Sequence, residues 1–207
     1  MLNKGDRKGF LLILSSTSGG GKSTIYEALL AKGEPFAFSV SLTTRPIRKG
    51  EIDGVHYRFV DEATFDSMIS AGKLAEWAVV HGNKYGTPRE FVDSALEEGK
   101  IMIFEIDVQG AAQLREAYPD DSVLVFIAAP SAEETERRIR LRGTNTEEDI
   151  QIRLKNAYAE IARCWDYDYI VINDVLETAI EDVFSIARAE RLASKRFKNE
   201  IWPEAIK

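Results

Sequence analysis

The chain predicts an α/β fold built on a doubly wound parallel sheet, and three features carry that expectation. A continuous apolar run at 10–15 leads straight into glycines and then into a helical pattern at 22–32, which gives the order strand, loop, helix. Short apolar runs at 100–106, Ser122–Ala128 and Tyr169–Ile172 are each bounded by charged or turn residues, as buried parallel strands are. Helical patterns separate these runs, and such alternation sets parallel strands side by side with helices on both faces.

The elements follow in order. The run at 10–15 is too short for a helix and lacks polar alternation, so it reads as a buried strand. After it Ile25, Leu29 and Leu30 recur at helical spacing, and Gly33 stands where a helix is capped. Residues 37–87 break the alternation. Their β-prone stretches at 37–43, 55–60 and Leu74–Val80 surround a short helix at about 61–71, a pattern that reads as a mixed-sheet insert. Helices are predicted at 88–98, ended by Gly99, at 108–118, at 132–142 and from 175 to about 197. Ser131 before Glu134 and Thr146 before Asp149 are helix-starting caps, so 131–142 and 146–165 form a charged helix pair joined around Gly143.

At 207 residues the chain fits one domain, and no linker or internal repeat divides it. A net charge of −7 argues against an extended nucleic-acid surface, which needs excess Lys and Arg. The single Cys164 cannot close an internal disulfide, and the opening MLNKGDRKGF has too short an apolar run for a signal or a membrane span. A cytoplasmic protein without a membrane partner is expected. Monomer and homo-oligomer stay equally open, and the tail at 196–207 could pack on the body or on a partner.

The segment STSGGGKST, comprising Ser16, Thr17, Ser18, Gly19, Gly20, Gly21, Lys22, Ser23 and Thr24, has the composition of a phosphate loop. A helix that starts directly after a buried strand offers unpaired N–H groups and its positive end to an anion. Lys22 would reach the β- and γ-phosphates of a nucleoside triphosphate, and the Ser23 hydroxyl would ligate the accompanying Mg2+. Ser16 departs from the strict pattern, which has glycine there. Were φ positive at that position, serine would cost about 1–2 kcal/mol.

The insert carries a second phosphate signal. Arg45 and Arg48 lie beside Ser41, Thr43, Thr44 and Tyr57, and two guanidinium forks among hydroxyls suit a phosphate monoester. A solvated basic loop is the competing reading.

Four sets of segments give the chain a resemblance to the guanylate kinase family over residues 10–193: SGGGKST, FSVSLTTRPIRKGEIDGVHY, AEWAVVHGNKYGTP, and EIDVQG with RIRLRGTNTEEDIQIRL downstream. The resemblance implies a P-loop kinase fold with a core of 8–36, 88–130 and 166–197, a GMP-binding insert at 37–87 and a helical lid at 131–165. It also implies Mg2+-dependent transfer of the γ-phosphoryl group of ATP to GMP, and to dGMP, in purine nucleotide metabolism and GMP recycling. Arg45, Arg48, Tyr57 and Tyr85 would grip the GMP phosphate, while Ser41, Glu76 and Thr87 would read the guanine. Thr87 stands where the family often has serine. Glu105 and Asp107 would face the nucleoside and the magnesium shell, with Ser23 and Asp107 as metal positions; Glu105 replaces a frequent aspartate. Lys22, Arg45, Arg138, Arg142 and Arg153 would carry the catalysis, the last three by closing over the transferring group. Asn173 and Asp174 would lie on the adenine side.

Chemistry allows independent checks of these roles. Guanine presents N1–H and 2-amino donors on one edge, and one carboxylate such as Glu76 can accept both. Adenine lacks that pair, and hydrogen-bonding sites discriminate on this basis by roughly 10⁴–10⁵. Simpler readings remain open: Glu76 as an exposed strand carboxylate beside Trp77, Asp107 as a helix N-cap before Val108, and Arg138 as a surface ion-pair partner of Glu134. The acceptor oxygen of a phosphate monoester is largely ionised at neutral pH, so no general base is needed. His56 and His81 are the only histidines, and no Cys or His cluster lies near either, which argues against a structural zinc site. Two rival functions are a related kinase acting on AMP, dTMP or a sugar phosphate, and a scaffold's guanylate-kinase-like module that holds a phosphorylated peptide without chemistry. Glu76 with the Arg45 to Tyr57 segment opposes the first; retained Lys22 and Ser23 oppose the second.

Overall fold

Alternate residues of β1 (Phe10–Ser16) serve two different cores, and this divides the molecule into layers. Phe10, Leu12 and Leu14 face one side, where they meet Ile25 and Leu29 of α1 (Lys22–Ala31) and Ala179, Val183 and Ala187 of α7 (Leu176–Leu192). Leu11 and Ile13 face the other side, against Val92 and Leu96 of α3 (Arg89–Glu97) and Ala111 and Leu114 of α4 (Val108–Ala117). All five β1 side chains from Phe10 to Leu14 are buried, so the strand has no polar face and reads as an unbroken apolar run. This computed structural model describes residues 7–80, 82–141 and 146–198.

β1 lies at the centre of a five-stranded parallel sheet in the order β2 (Phe36–Phe38), β7 (Ile101–Glu105), β1, β8 (Ser122–Ala128), β9 (Tyr169–Ile172). The chain crosses from one side of β1 to the other between β7 and β8. Ligands bind beyond the carboxyl ends of strands at such a crossing, and both β1 and β7 end there in polar residues. The doubly wound parallel core is therefore as expected.

The second sheet is mixed, in the order β4 (Arg58–Phe59), β3 (Leu42–Thr43), β6 (Asn83–Pro88), β5 (Leu74–Val80), with α2 (Glu62–Ser70) packed on it through Phe65. The stretch at 37–43, read as one β element of the insert, is divided. Ala37 and Phe38 pair with Met102 and Ile103 in the parallel sheet, while Leu42 and Thr43 pair with Gly86 and Tyr85 in the mixed one. β6 was not anticipated at all, because NKYGTP has neither alternation nor an apolar face; its neighbours β3 and β5 make it a strand.

Two helices lead away from β8: α5 (Ala132–Leu141) and α6 (Glu147–Ile161). Their expected caps are formed. Ser131 Oγ accepts from Glu134 N at 3.1 Å, and Thr146 with Asp149 makes a reciprocal capping box. The final helix is shorter than predicted: α7 stops at Leu192 because Ala193 adopts an extended ψ of 136°, and a 3₁₀ turn follows at Ser194–Arg196. Arg196 there is buried and donates to Asp121 Oδ1 at 2.9 Å, so the tail packs on the body as far as residue 198. Residues 199–207, and with them the expectation about Trp202, lie outside the described residues, as do His81 and the Gly143 junction.

Candidate active site

The phosphate loop begins where β1 ends. Ser16 is the last strand residue and pairs with Ile127, so its backbone is extended and no left-handed conformation is asked of it. The strain considered for serine at this position does not arise. What serine requires is space: a Cβ on Gly20 would lie 2.8 Å from the Ser16 Cβ and 2.9 Å from Ile127 O. Gly21 caps α1 with φ of 87°, and a Cβ there would come within 2.2 Å of Asn173 Nδ2. Asn173 earns its place at the end of β9 by donating from Nδ2 to Gly20 O at 2.8 Å.

Residues 16–23, with Glu105, Asp107 and Glu160, line a cleft of about 280 Å³. Lys22 Nζ donates to Ile106 O at 3.2 Å, and Ser23 Oγ donates to Glu105 Oε1 at 2.6 Å. Burial lowers the Lys22 pKa, while Glu105, Asp107 and Glu160 favour its charged form. An ammonium held by anions yet poorly solvated is primed to take a phosphate. Thr24 and Asn173 lie along a neighbouring cleft of about 370 Å³ with Gly19, Gly21, Arg138 and Asp174.

A third cleft, of about 400 Å³, is lined by Ser41, Tyr57, Glu76, Tyr85, Glu105 and Asp107, together with apolar neighbours. Cross-strand register builds its most distinctive pair. Glu76 on β5 stands opposite Thr87 on β6, and Thr87 Oγ1 donates to Glu76 Oε1 at 2.8 Å. Both are buried, at 6% and 0% exposure, so Glu76 is not the exposed strand carboxylate that its sequence context allowed. Burial pushes its pKa up to about 7, with Asp107 adding to the shift and the Thr87 hydroxyl opposing it. Ser41 Oγ and Ser39 Oγ each lie 3.4 Å from Thr87 Oγ1, which extends the polar cluster.

Arg45 is buried, with its guanidinium over the rings of Tyr57 and Phe59. Glu51 takes its fork in both hands, at 2.9 and 2.7 Å, and accepts the Arg48 amide at 2.7 Å. That pairing holds the Glu51 carboxyl down at about 2 and raises the Arg45 pKa. The Arg48 side chain is exposed and does not line the cleft, whereas Tyr57 and Tyr85 do, ring against ring at 5.8 Å.

Asp107 is the N-cap of α4, accepting from Gln109 N and Gly110 N, and it lines both the phosphate-loop and the acceptor clefts. Capping α4 does not withdraw the residue from either cleft. Arg138 makes the ion pair with Glu134 at 2.6 Å and also donates to Asn173 O at 2.9 Å, so it is tied to the phosphate-loop side rather than only to its own helix. Arg153 Nη1 reaches Ser18 Oγ at 3.3 Å. Arg142 lies outside the described residues. Sequence reasoning missed Glu51 and Glu160; the first was signalled only as an acid within a basic segment, and the second by nothing local.

Glu105 and Asp107 are shared by the two clefts, so a phosphate on the loop and a nucleotide beside Glu76 would meet across them. A family model described as guanylate kinase matches residues 8–190. The chain is 52% identical over 190 residues to a guanylate kinase of Chelativorans sp. (strain BNC1), covering 92% of this chain and 87% of the relative. It is 47% identical over 197 residues to one from Carboxydothermus hydrogenoformans, covering 95% and 96%. A crystal structure of guanylate kinase from Anaplasma phagocytophilum superposes with a TM-score of 0.74 at 36% identity, covering 94% of this chain and 93% of that one.

Proposed function

The chain belongs to the guanylate kinase family, and from that premise we propose how its residues divide the work of moving the γ-phosphoryl group of ATP to GMP. The chain is an ATP:GMP phosphotransferase, and the observation that carries the division of roles is the pair of clefts joined at Glu105 and Asp107.

The triphosphate lies on the N–H groups of residues 19–24, with Lys22 on its β- and γ-phosphates. The adenine side falls between Asn173, Asp174 and Leu176, which line the adjoining cleft. GMP enters the other cleft, its guanine edge on Glu76 with Thr87 and Ser41, and its phosphate on Arg45, Tyr57 and Tyr85. Arg48 joins that grip by turning inward from its exposed position, and dGMP is accepted by the same contacts. A Ser23 hydroxyl and an Asp107 carboxylate are hard oxygen donors of the kind Mg2+ takes alongside phosphates and water, and they fit that ion at this place. When bound, Mg2+ neutralises charge on the β- and γ-phosphates.

Positioning and electrostatics then suffice, because the attacking oxygen is already ionised. Arg45 orients the attacking phosphate, and Arg138, Arg142 and Arg153 supply positive charge over the transferring group. We assign the mixed sheet with α2 as the acceptor-binding insert, entered after Phe38, and 131–165 as the lid. Among the described residues no helix is long and apolar enough to cross a membrane, and we place the enzyme in the cytoplasm.

A coupled ADP-release assay with GMP, AMP, dTMP and UMP as acceptors tests the base assignment. Turnover is expected with GMP far above the others; equal or faster turnover with AMP would overturn the role given to Glu76.

A further inference from the structure

Helix α6 lays one face over the phosphate loop. Arg153 and Glu160 are two helical turns apart on that face. Arg153 Nη1 reaches Ser18 Oγ at 3.3 Å, and Glu160 lines the phosphate cleft with Ser18, Lys22 and Asp107. Glu160 Oε2 is buried and has no hydrogen-bond partner, an arrangement that is unfavourable for any polar atom and more so for a carboxylate. Burial raises the Glu160 pKa, the Ser18 amide and Lys22 oppose the rise, and Asp107 adds to it.

Three carboxylates thus share one cleft with the Lys22 ammonium, and each of them favours its charged form. Two are engaged elsewhere. Glu105 accepts the Ser23 hydroxyl at 2.6 Å and Asp107 caps α4, while both also border the acceptor cleft. Glu160 has no task outside this cleft, since the Ser18 amide that favours its charged form belongs to the phosphate loop itself. It comes from the far helix pair, does not line the acceptor cleft, and keeps one oxygen without a donor.

We propose that Glu160 is a displaceable counter-anion of Lys22. Its carboxylate balances the ammonium before nucleotide binds and repels the triphosphate that takes its place, so nucleotide is held less tightly and leaves faster than the loop alone would dictate. This inference rests on placing the triphosphate on the phosphate loop, as proposed above. It makes Glu160 a positioning residue whose removal improves binding, an effect that loss of a merely structural contact would not give.

Titration calorimetry of the full chain tests it, with Glu160→Gln and Glu160→Ala beside the wild type. The probes are ATP with excess EDTA, Mg2+-ATP, and GMP. Both variants are expected to bind ATP on the order of fivefold more tightly, the size of one screened unit-charge repulsion across several ångströms. The gain should be larger with EDTA, and GMP affinity should stay within about twofold of wild type. ADP dissociation in stopped flow should slow correspondingly. Unchanged or weaker ATP binding by Glu160→Gln overturns the proposal. So does weaker Mg2+-ATP binding alone, which would make the carboxylate a servant of the cation. Should Glu160→Ala fail to fold, the near-isosteric Glu160→Gln decides by itself. Lys22→Ala runs in parallel: unchanged ATP affinity there would overturn the placement of the triphosphate, whereas weakened affinity with no gain in Glu160→Gln would overturn only the counter-anion.

Discussion

The guanine contact proposed for Glu76 would tie base recognition to pH. Its carboxyl is pushed from 4.5 up to about 7 by burial, so at neutral pH the ligand-free protein holds it protonated about half the time. A carboxylate that is to accept guanine N1–H and the 2-amino group must be ionised, and GMP binding therefore expels the proton. The fraction ionised is roughly one tenth at pH 6 and nine tenths at pH 8 for a pKa near 7, so GMP affinity should rise about tenfold across that interval. Ionisation of the GMP phosphate, with a pKa of about 6, adds up to about twofold in the same direction. Glu76→Gln separates the two contributions, since it keeps the Thr87 contact but cannot titrate. Calorimetry in buffers of different ionisation enthalpy should count nearly one proton released per GMP at pH 6 by the wild type beyond that released by Glu76→Gln. Parallel pH profiles for the two proteins would refute the assignment of the guanine edge to Glu76.

The same shift bears on stability with the sign reversed from the usual acid. A carboxyl whose pKa is raised in the fold stabilises fully below its unfolded value, and that contribution fades as pH rises through the folded value. From 4.5 to about 7 the ligand-free protein should lose on the order of 3 kcal/mol. Chemical denaturation of wild type and Glu76→Gln at pH 4.5 and pH 8 would measure it; a wild type as stable at pH 8 as at pH 4.5, relative to the variant, would contradict it.

Other consequences are simpler. Lys22→Ala should lower kcat/KM for ATP by about 10²–10³ or more, the loss seen when one preorganised donor to a developing charge is removed, with the melting temperature nearly unchanged; steady-state kinetics and thermal denaturation check both. Gly21→Ala adds a Cβ 2.2 Å from Asn173 Nδ2 at φ of 87°, and should destabilise by about 2 kcal/mol or more; denaturant unfolding reads it, and adding Asn173→Ala should recover part of the loss by removing the clash. Glu51→Gln breaks the fork that fixes Arg45 at 2.9 and 2.7 Å, so KM for GMP should rise about tenfold while KM for ATP stays within about twofold, as varied-substrate kinetics would show.

What the sequence made legible was what neighbours along the chain decide. The β1 run, the glycines after it and the caps at Ser131 and Thr146 are each specified within a few residues, and all lie where expected. β6 and the division at 37–43 are specified by distant partners. NKYGTP becomes a strand because β5 and β3 flank it, and Gly86 is needed there because a Cβ would lie 2.8 Å from Glu76 O. The same limit separates the candidate site's visible parts from its hidden ones. Lys22 and Ser23 announce themselves by spacing from a strand and a glycine. Glu51 and Glu160 are defined only by the cations that folding brings to them, from six residues away and from a helix 138 residues further on. Arg138 shows why local spacing can mislead. Its i, i+4 pairing with Glu134 is real, yet the same guanidinium also reaches Asn173 O across 35 residues. That guanidinium is held at once by its own helix and by the residue that follows β9, in the cleft it lines with Gly19 and Gly21 of the phosphate loop.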